Sequence, residues 1–91
     1  MTRAPQSLDE VLATVGELLV SVTGVDEVAA APDLKIRELG ILDSLGIVSL
    51  IVGLSERFSI DIAPAEIEEE DVATPRALAG FVHRKLEAAI S

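Results

Sequence analysis

Apolar and polar positions alternate along this chain with the period of a helix, and in no segment with the period of a strand. Leu8, Val11, Leu12, Val15, Leu18, Leu19 and Val22 recur at i, i+3, i+4 and i+7 spacing, with Asp9, Glu10, Thr14, Glu17 and Ser21 between them. That is one apolar stripe on an amphipathic helix. Ser7 followed by Glu10 makes a capping box at its start, each side chain serving the other residue's orphan N–H. Gly24 is a natural stop, because glycine accepts the left-handed conformation that ends many helices. Residues 1–6 carry no such pattern and are expected to form a flexible N-terminus.

A long connection follows, broken by Ala31-Pro32 and Gly40, yet carrying Leu34, Ile36, Leu39, Ile41 and Leu42. So many apolar residues predict an ordered loop packed over the rest; a structureless loop of about 20 residues is uncommon in a compact domain. A second long helix is predicted from Ser44 to Phe58, with Asp43 as its N-cap. The segment from Asp61 to Ile67 allows a short helix with Pro64 in the first turn. Thr74-Pro75 reads as N-cap and first residue of a last helix, which carries Leu78, Phe81, Val82, Leu86 and Ala89/Ile90 on one side. Arg84 and Lys85 are placed near its C-terminus, where positive charge complements the helix dipole. The predicted fold is all-α, three long helices and one short one, with a long ordered loop between the first two long helices.

The Ser44 helix has two apolar stripes. Ile47, Leu50, Ile51, Leu54 and Phe58 fall within about a 100° arc and form the core face. Leu45, Val48 and Val52 cluster elsewhere, near Ser49, Ser55 and Glu56. Either the helix is central and buried nearly all round, or the second stripe is a partly exposed patch for docking another protein. Gly46 and Gly53 reduce helix propensity; they are either tolerated or serve close approach by a partner. Ser44 projects between the stripes, at the first turn and beside the long loop.

Composition narrows the function. The chain has 91 residues, 49% of them hydrophobic, which suits one small domain, residues 7–91. There is no cysteine, so neither a disulfide framework nor a thiolate metal site is available. No apolar run precedes the first helix, and the longest apolar-rich stretch, Ile41 to Leu54, contains Asp43. Neither a secretory signal nor a membrane span is expected, and a soluble, cytoplasmic protein is. Sixteen acidic residues against 7 basic ones give a net charge of −9, which repels phosphate backbones and anionic membranes. With two Phe, no Trp and no Tyr, no stacking platform for nucleic acid exists. The acidic run Glu68 to Asp71 lacks the ligand order of a cation loop and reads as a solvated helix end, so no metal site is assigned. His83, the only histidine, reads as a surface residue. A serine hydrolase would need a base beside its nucleophile and an oxyanion site, and no Gly-x-Ser-x-Gly elbow is present.

From the residues alone, Ser44 reads as a second N-terminal capping residue. Leu39-Gly40-Ile41-Leu42-Asp43-Ser44-Leu45, at a loop-to-helix junction and with Phe58 closing the helix, resembles the attachment motif of acyl and peptidyl carrier proteins. With two residues between Gly40 and Asp43-Ser44, where fatty-acid carriers commonly have one, it looks more like the D-alanyl carrier type. Glu66-Ile67 followed by Thr74-Pro75 is similar to that type too. The acid-rich second helix of fatty-acid carriers is missing, since only Glu56 is acidic there.

The resemblance implies a small acyl-carrier-like bundle without catalytic activity of its own. Ser44 would receive 4'-phosphopantetheine from coenzyme A through a phosphopantetheinyl transferase. An adenylating enzyme would load an aminoacyl or acyl group on the arm's thiol as a thioester, and a downstream acyltransferase or synthase would take it. The setting would be specialised-metabolite biosynthesis or D-alanylation. Asp43 would be part of the transferase's recognition signal as well as a cap, and Leu45, Val48 and Val52 would contact partners. A monomer is expected, because a shuttle must leave its partners. The alternative is a helical adaptor that binds a partner through the apolar patch and does not require Ser44.

Overall fold

The computed structural model describes residues 7–90; the N-terminal segment 1–6, expected to be flexible, lies outside the described residues. Helix α1 spans Leu8–Thr23. Its capping box forms as the sequence predicts: Ser7 Oγ accepts from the Glu10 N–H at 3.2 Å, and Glu10 Oε1 accepts from the Ser7 N–H at 3.3 Å. Gly24 ends it at φ 72°, its N–H donating to the Val20 carbonyl at 2.8 Å. Helix α3 is Ser44–Phe58 and helix α4 is Pro75–Ile90, with Thr74 Oγ1 accepting from the Ala77 N–H at 3.0 Å to cap α4.

Between α1 and α3 the connection is ordered, and it also winds one short helix, α2, over Glu27–Ala30. Four residues carry too little periodicity to predict that turn. It forms because Val28 is buried and because Gly16 of α1 lets it approach; a Cβ on Gly16 would stand 3.2 Å from the Ala29 Cα. The predicted short helix near residues 61–67 is a single 3-10 turn, Pro64–Glu66, and the acidic run enters a second one, Glu69–Val72. Side chains close both turns, Glu66 Oε2 accepting from the Ala63 N–H at 2.7 Å and Asp71 Oδ2 from the Glu68 N–H at 3.0 Å. The acidic run is therefore a corner of the fold rather than a solvated helix end, and Val72 is its buried anchor.

One aliphatic core holds these pieces. Val11, Val15 and Leu19 of α1 meet Leu50, Ile51 and Leu54 of α3 and Leu78, Phe81 and Val82 of α4. Helix α1 is the shared surface, packing against α2, α3 and α4. The connection contributes Val28, Ile36 and Leu42, all buried. Its backbone is tied down in turn: the Ile36 N–H donates to the Ala73 carbonyl at 3.0 Å and the Arg76 N–H to the Pro32 carbonyl at 2.9 Å. Not every expected core position is covered, since Leu8, Leu39 and Ala89 are exposed.

Ion pairs link distant segments. Arg76 forks onto Asp33 at 2.8 and 3.3 Å, and Lys85 Nζ reaches Glu66 Oε1 at 2.7 Å. Arg84 lies 3.5 Å from Asp71. Arg84 and Lys85 thus bind the 64–72 corner instead of complementing the end of α4, which runs on to Ile90. His83, expected at the surface, is half-buried, its Nδ1 3.4 Å from Glu87 Oε1.

The hydrogen bond from Arg76 holds the Asp33 carboxyl below its ordinary range, and Lys85, with the Ala63 N–H second, does the same for Glu66. Unfolded, both groups titrate in the ordinary range, so acid protonates the unfolded chain first. Their contribution is whole above the ordinary carboxylate range and is lost as pH falls through the depressed values. Both pairs face solvent, so the effect is modest. The Asp33→Asn/Glu66→Gln double variant should lose less melting temperature than the parent between about pH 7 and about pH 3. Parallel curves would show that neither pair is linked to folding.

Candidate functional site

The candidate site is the N-terminus of α3. Asp43 is extended at φ −101°, ψ −179°, and its Oδ1 accepts from the Gly46 N–H at 2.7 Å. The Asp43 carbonyl accepts from the Ile47 N–H at 2.9 Å. Ser44 is the first helical residue and is exposed. Asp43 alone holds the cap; the Ser44 hydroxyl takes part in none of the side-chain hydrogen bonds among the described residues, so the reading of Ser44 as a second cap is set aside. The N–H groups of a first helical turn have no carbonyl four residues back. They and the helix dipole place positive potential beside the hydroxyl.

A phosphodiester on this oxygen would meet solvent, free N–H groups and the favourable end of a 15-residue helix. The residues present therefore fit a phosphate-linked arm. They do not make a nucleophile: the one histidine of the chain, His83, lies on α4 against Glu87. No group of three His, Asp or Glu side chains among the described residues could hold a metal ion.

The second stripe of α3 is exposed, with Leu45 at 79%, Val48 at 59% and Val52 at 53%. The stripe is therefore open to solvent, and burial nearly all round is set aside. All-round burial fails because α1, not α3, is the element on which the others pack. Shallow clefts flank the exposed ridge. One is walled by Leu18 and Val22 of α1 and floored by Gly46, Ser49 and Gly53; the other lies between Ile47, Val48 and Ile51 and the corner residues Pro64, Ile67 and Val72.

Gly46 and Gly53 have a role that neither sequence reading proposed: they bring α3 close to α1. A Cβ on Gly46 would stand 3.0 Å from Leu42 Cδ1, 3.2 Å from the capping Asp43 Oδ1 and 3.4 Å from Val22 Cγ1; one on Gly53 would stand 3.3 Å from Leu18 Cδ2. Another residue without a sequence signal is Arg37. Its Nη1 donates to the Leu42 carbonyl at 2.8 Å, while Nη2 and Nε donate to Glu69 at 3.1 and 3.3 Å.

A bundle that presents an exposed serine without a side-chain hydrogen bond at a capped helix start has the geometry a carrier needs for a tether. The chain belongs to the phosphopantetheine attachment site family, whose model matches residues 13–82. Members are non-catalytic carriers with covalently attached 4'-phosphopantetheine, and so is this chain. Among its relatives, the D-alanyl carrier protein of Abiotrophia defectiva is 38% identical over 56 residues, covering 62% of this chain and 71% of the relative. That of Lactococcus lactis subsp. cremoris (strain MG1363) is 34% identical over 71 residues, 78% of this chain and 90% of the relative. That of Bacillus velezensis is 37% identical over 59 residues, 65% and 76% respectively.

The glycine contacts predict opposite signs for two matched substitutions. Alanine in place of glycine within a helix ordinarily gains about 1 kcal/mol. At Gly53 the one crowding atom is the end of a half-buried leucine, so Gly53→Ala should keep part of that gain. At Gly46 the new methyl presses a buried leucine and the capping oxygen, so Gly46→Ala should be destabilising on balance by about 1 kcal/mol. Urea unfolding measures both, and equal gains would refute the crowding at Gly46.

Proposed function

We propose that Ser44 carries the 4'-phosphopantetheine arm and that the chain shuttles an aminoacyl group, D-alanine or a similar amino acid, between partner enzymes. The observation that supports this most is the free, exposed Ser44 hydroxyl beside the Asp43 cap, in a chain that belongs to the attachment-site family. When bound, the arm supplies a terminal thiol able to hold a carboxylic acid in activated thioester linkage. The chain's own residues then do three things. Asp43 caps α3 and fixes its first turn, Ser44 offers its oxygen at the positive helix end, and the exposed Leu45, Val48 and Val52 supply the contact for partners.

Those partners are a phosphopantetheinyl transferase, an adenylating enzyme and an acceptor enzyme. The amino acid cargo is supported by the name D-alanyl carrier protein, which several relatives share. The two-residue spacing Ile41-Leu42 before Asp43 and the lack of an acid-rich face on α3 point the same way. Work as a monomer in the cytoplasm accords with this reading, because coenzyme A and ATP-dependent ligases are found there and each partner must be left in turn.

Incubation with coenzyme A and a broad-specificity phosphopantetheinyl transferase should add the mass of one phosphopantetheine to the intact protein. Ser44→Ala should gain nothing while keeping its helical circular dichroism. An unmodified parent, beside a control carrier that is modified, would sink the carrier reading and leave the helical adaptor.

The docking role of the α3 face is tested separately by Val48→Asp. The site is exposed, so the fold should stand, but a charge at the centre of an apolar contact should raise the transferase KM on the order of tenfold. An unchanged KM would remove Val48 from the interface.

A further inference from the structure

Arg37 belongs to the connection between α1 and α3, and its guanidinium is engaged on two sides. Each described lysine and arginine reaches a carboxylate. Among the described residues, only Arg37 also holds a main-chain carbonyl, that of Leu42 at 2.8 Å. The Leu42 N–H donates to the Ile36 carbonyl at 3.0 Å, and the Leu42 side chain is buried. Both peptides that flank Leu42 are therefore held by residues 36 and 37. The second of them is the peptide that enters Asp43, so its plane sets the direction from which Asp43 must reach the Gly46 N–H. Ser44 follows directly. On its other side Arg37 grips Glu69, in the corner that walls one cleft beside α3.

We infer that Arg37 is a positioning residue for the attachment of phosphopantetheine: through the Leu42 carbonyl it fixes the Asp43 cap and the place of Ser44 relative to the 69–72 turn. The inference rests on the reading of Ser44 as the attachment residue. The carbonyl bond carries the effect. Arg37 is 26% exposed but its partner carboxylate is 81% exposed, and an ion pair open to water contributes little. A charged donor on a part-buried carbonyl contributes more. Releasing it frees the Leu42–Asp43 peptide to turn, and only a fraction of molecules then presents Ser44 in the arrangement a transferase accepts. Apparent affinity falls by that fraction, while the rate in the bound complex does not.

The test is steady-state transfer from coenzyme A by a broad-specificity transferase, on the full chain, well below the melting temperature of each variant. Arg37→Met keeps the apolar stem and removes the donors. It should raise KM about tenfold with kcat unchanged, and it should shift the Gly46 amide resonance, which reports the cap. Glu69→Gln should stay within about twofold of the parent. Leu86→Ala, a half-buried core position on α4 away from the site, should lower the melting temperature without moving KM or the Gly46 resonance. Should Arg37→Met fail to fold, Arg37→Lys carries the same test, since one ammonium does not span the carbonyl and both Glu69 oxygens.

A parental KM with an unmoved Gly46 resonance in the Arg37 variant overturns the inference. So does an equal loss in Glu69→Gln, which would place the effect in the ion pair. If the parent itself is never modified, the Ser44 reading falls instead, and the Gly46 resonance still decides whether Arg37 sets the cap.

Discussion

The burial of Ile36 and Leu42 governs everything near Ser44. These two side chains draw the middle and the end of the 24–43 connection into the aliphatic core. A backbone taken that deep must find partners for its polar groups, since unpaired ones are costly. It finds them in the Ala73 carbonyl at the approach to α4 and within its own Ile36–Leu42 turn. The chain therefore emerges beside α1 at a fixed point, and Asp43 and Ser44 begin α3 from there. Ser44, at the start of α3, is thus placed by packing a few residues upstream and by the Asp43 cap, not by any hydrogen bond of its own hydroxyl.

The same core explains why one face of α3 stays open. With two phenylalanines and no larger aromatic residue, the interior is filled by short aliphatic side chains, and the helices must approach closely to leave no voids. Glycines at 46 and 53 let α3 settle on α1 through Leu18 and Val22. Having satisfied α1 on one side and the core residues on another, α3 has no further element among the described residues to cover Leu45, Val48 and Val52. The exposed stripe and the glycines are thus two results of one packing arrangement.

Much of this was legible in the sequence, and the losses follow a physical rule. Ser7, Glu10 and Gly24 announced the limits of α1, and Asp43 and Phe58 those of α3, because caps and apolar periodicity are local signals. The order of the connection could be foreseen from its apolar residues, although Leu39 turned outward while Ile36 and Leu42 turned in. What escaped depended on contacts far apart in sequence. The α2 turn needs Gly16, the acidic corner needs Arg84 and Lys85 from α4, and Arg37 meets Glu69 across 32 residues. For the second stripe of α3, periodicity showed its existence but not its exposure, since that depends on which helix is central. At the candidate site, Ser44 and Asp43 were read from a motif and its place in the chain. The hold on Leu42 had no motif to reveal it.

In the proposed function, charge and the apolar ridge divide the work of meeting a partner. The described lysines and arginines are occupied by the chain's own carboxylates, so most of the negative charge that remains is unbalanced and faces solvent. Such a field acts over about a Debye length and raises the rate of encounter with basic surfaces. The contact proposed for partners falls on Leu45, Val48 and Val52, three exposed aliphatic side chains with Glu56 as the only acid on their helix. So small an apolar contact is far below the size of a lasting interface. Attraction at a distance hastens arrival, and a small uncharged contact keeps departure quick. A tether that must visit several enzymes in turn needs both, and a larger or more charged ridge on α3 would trade release for affinity.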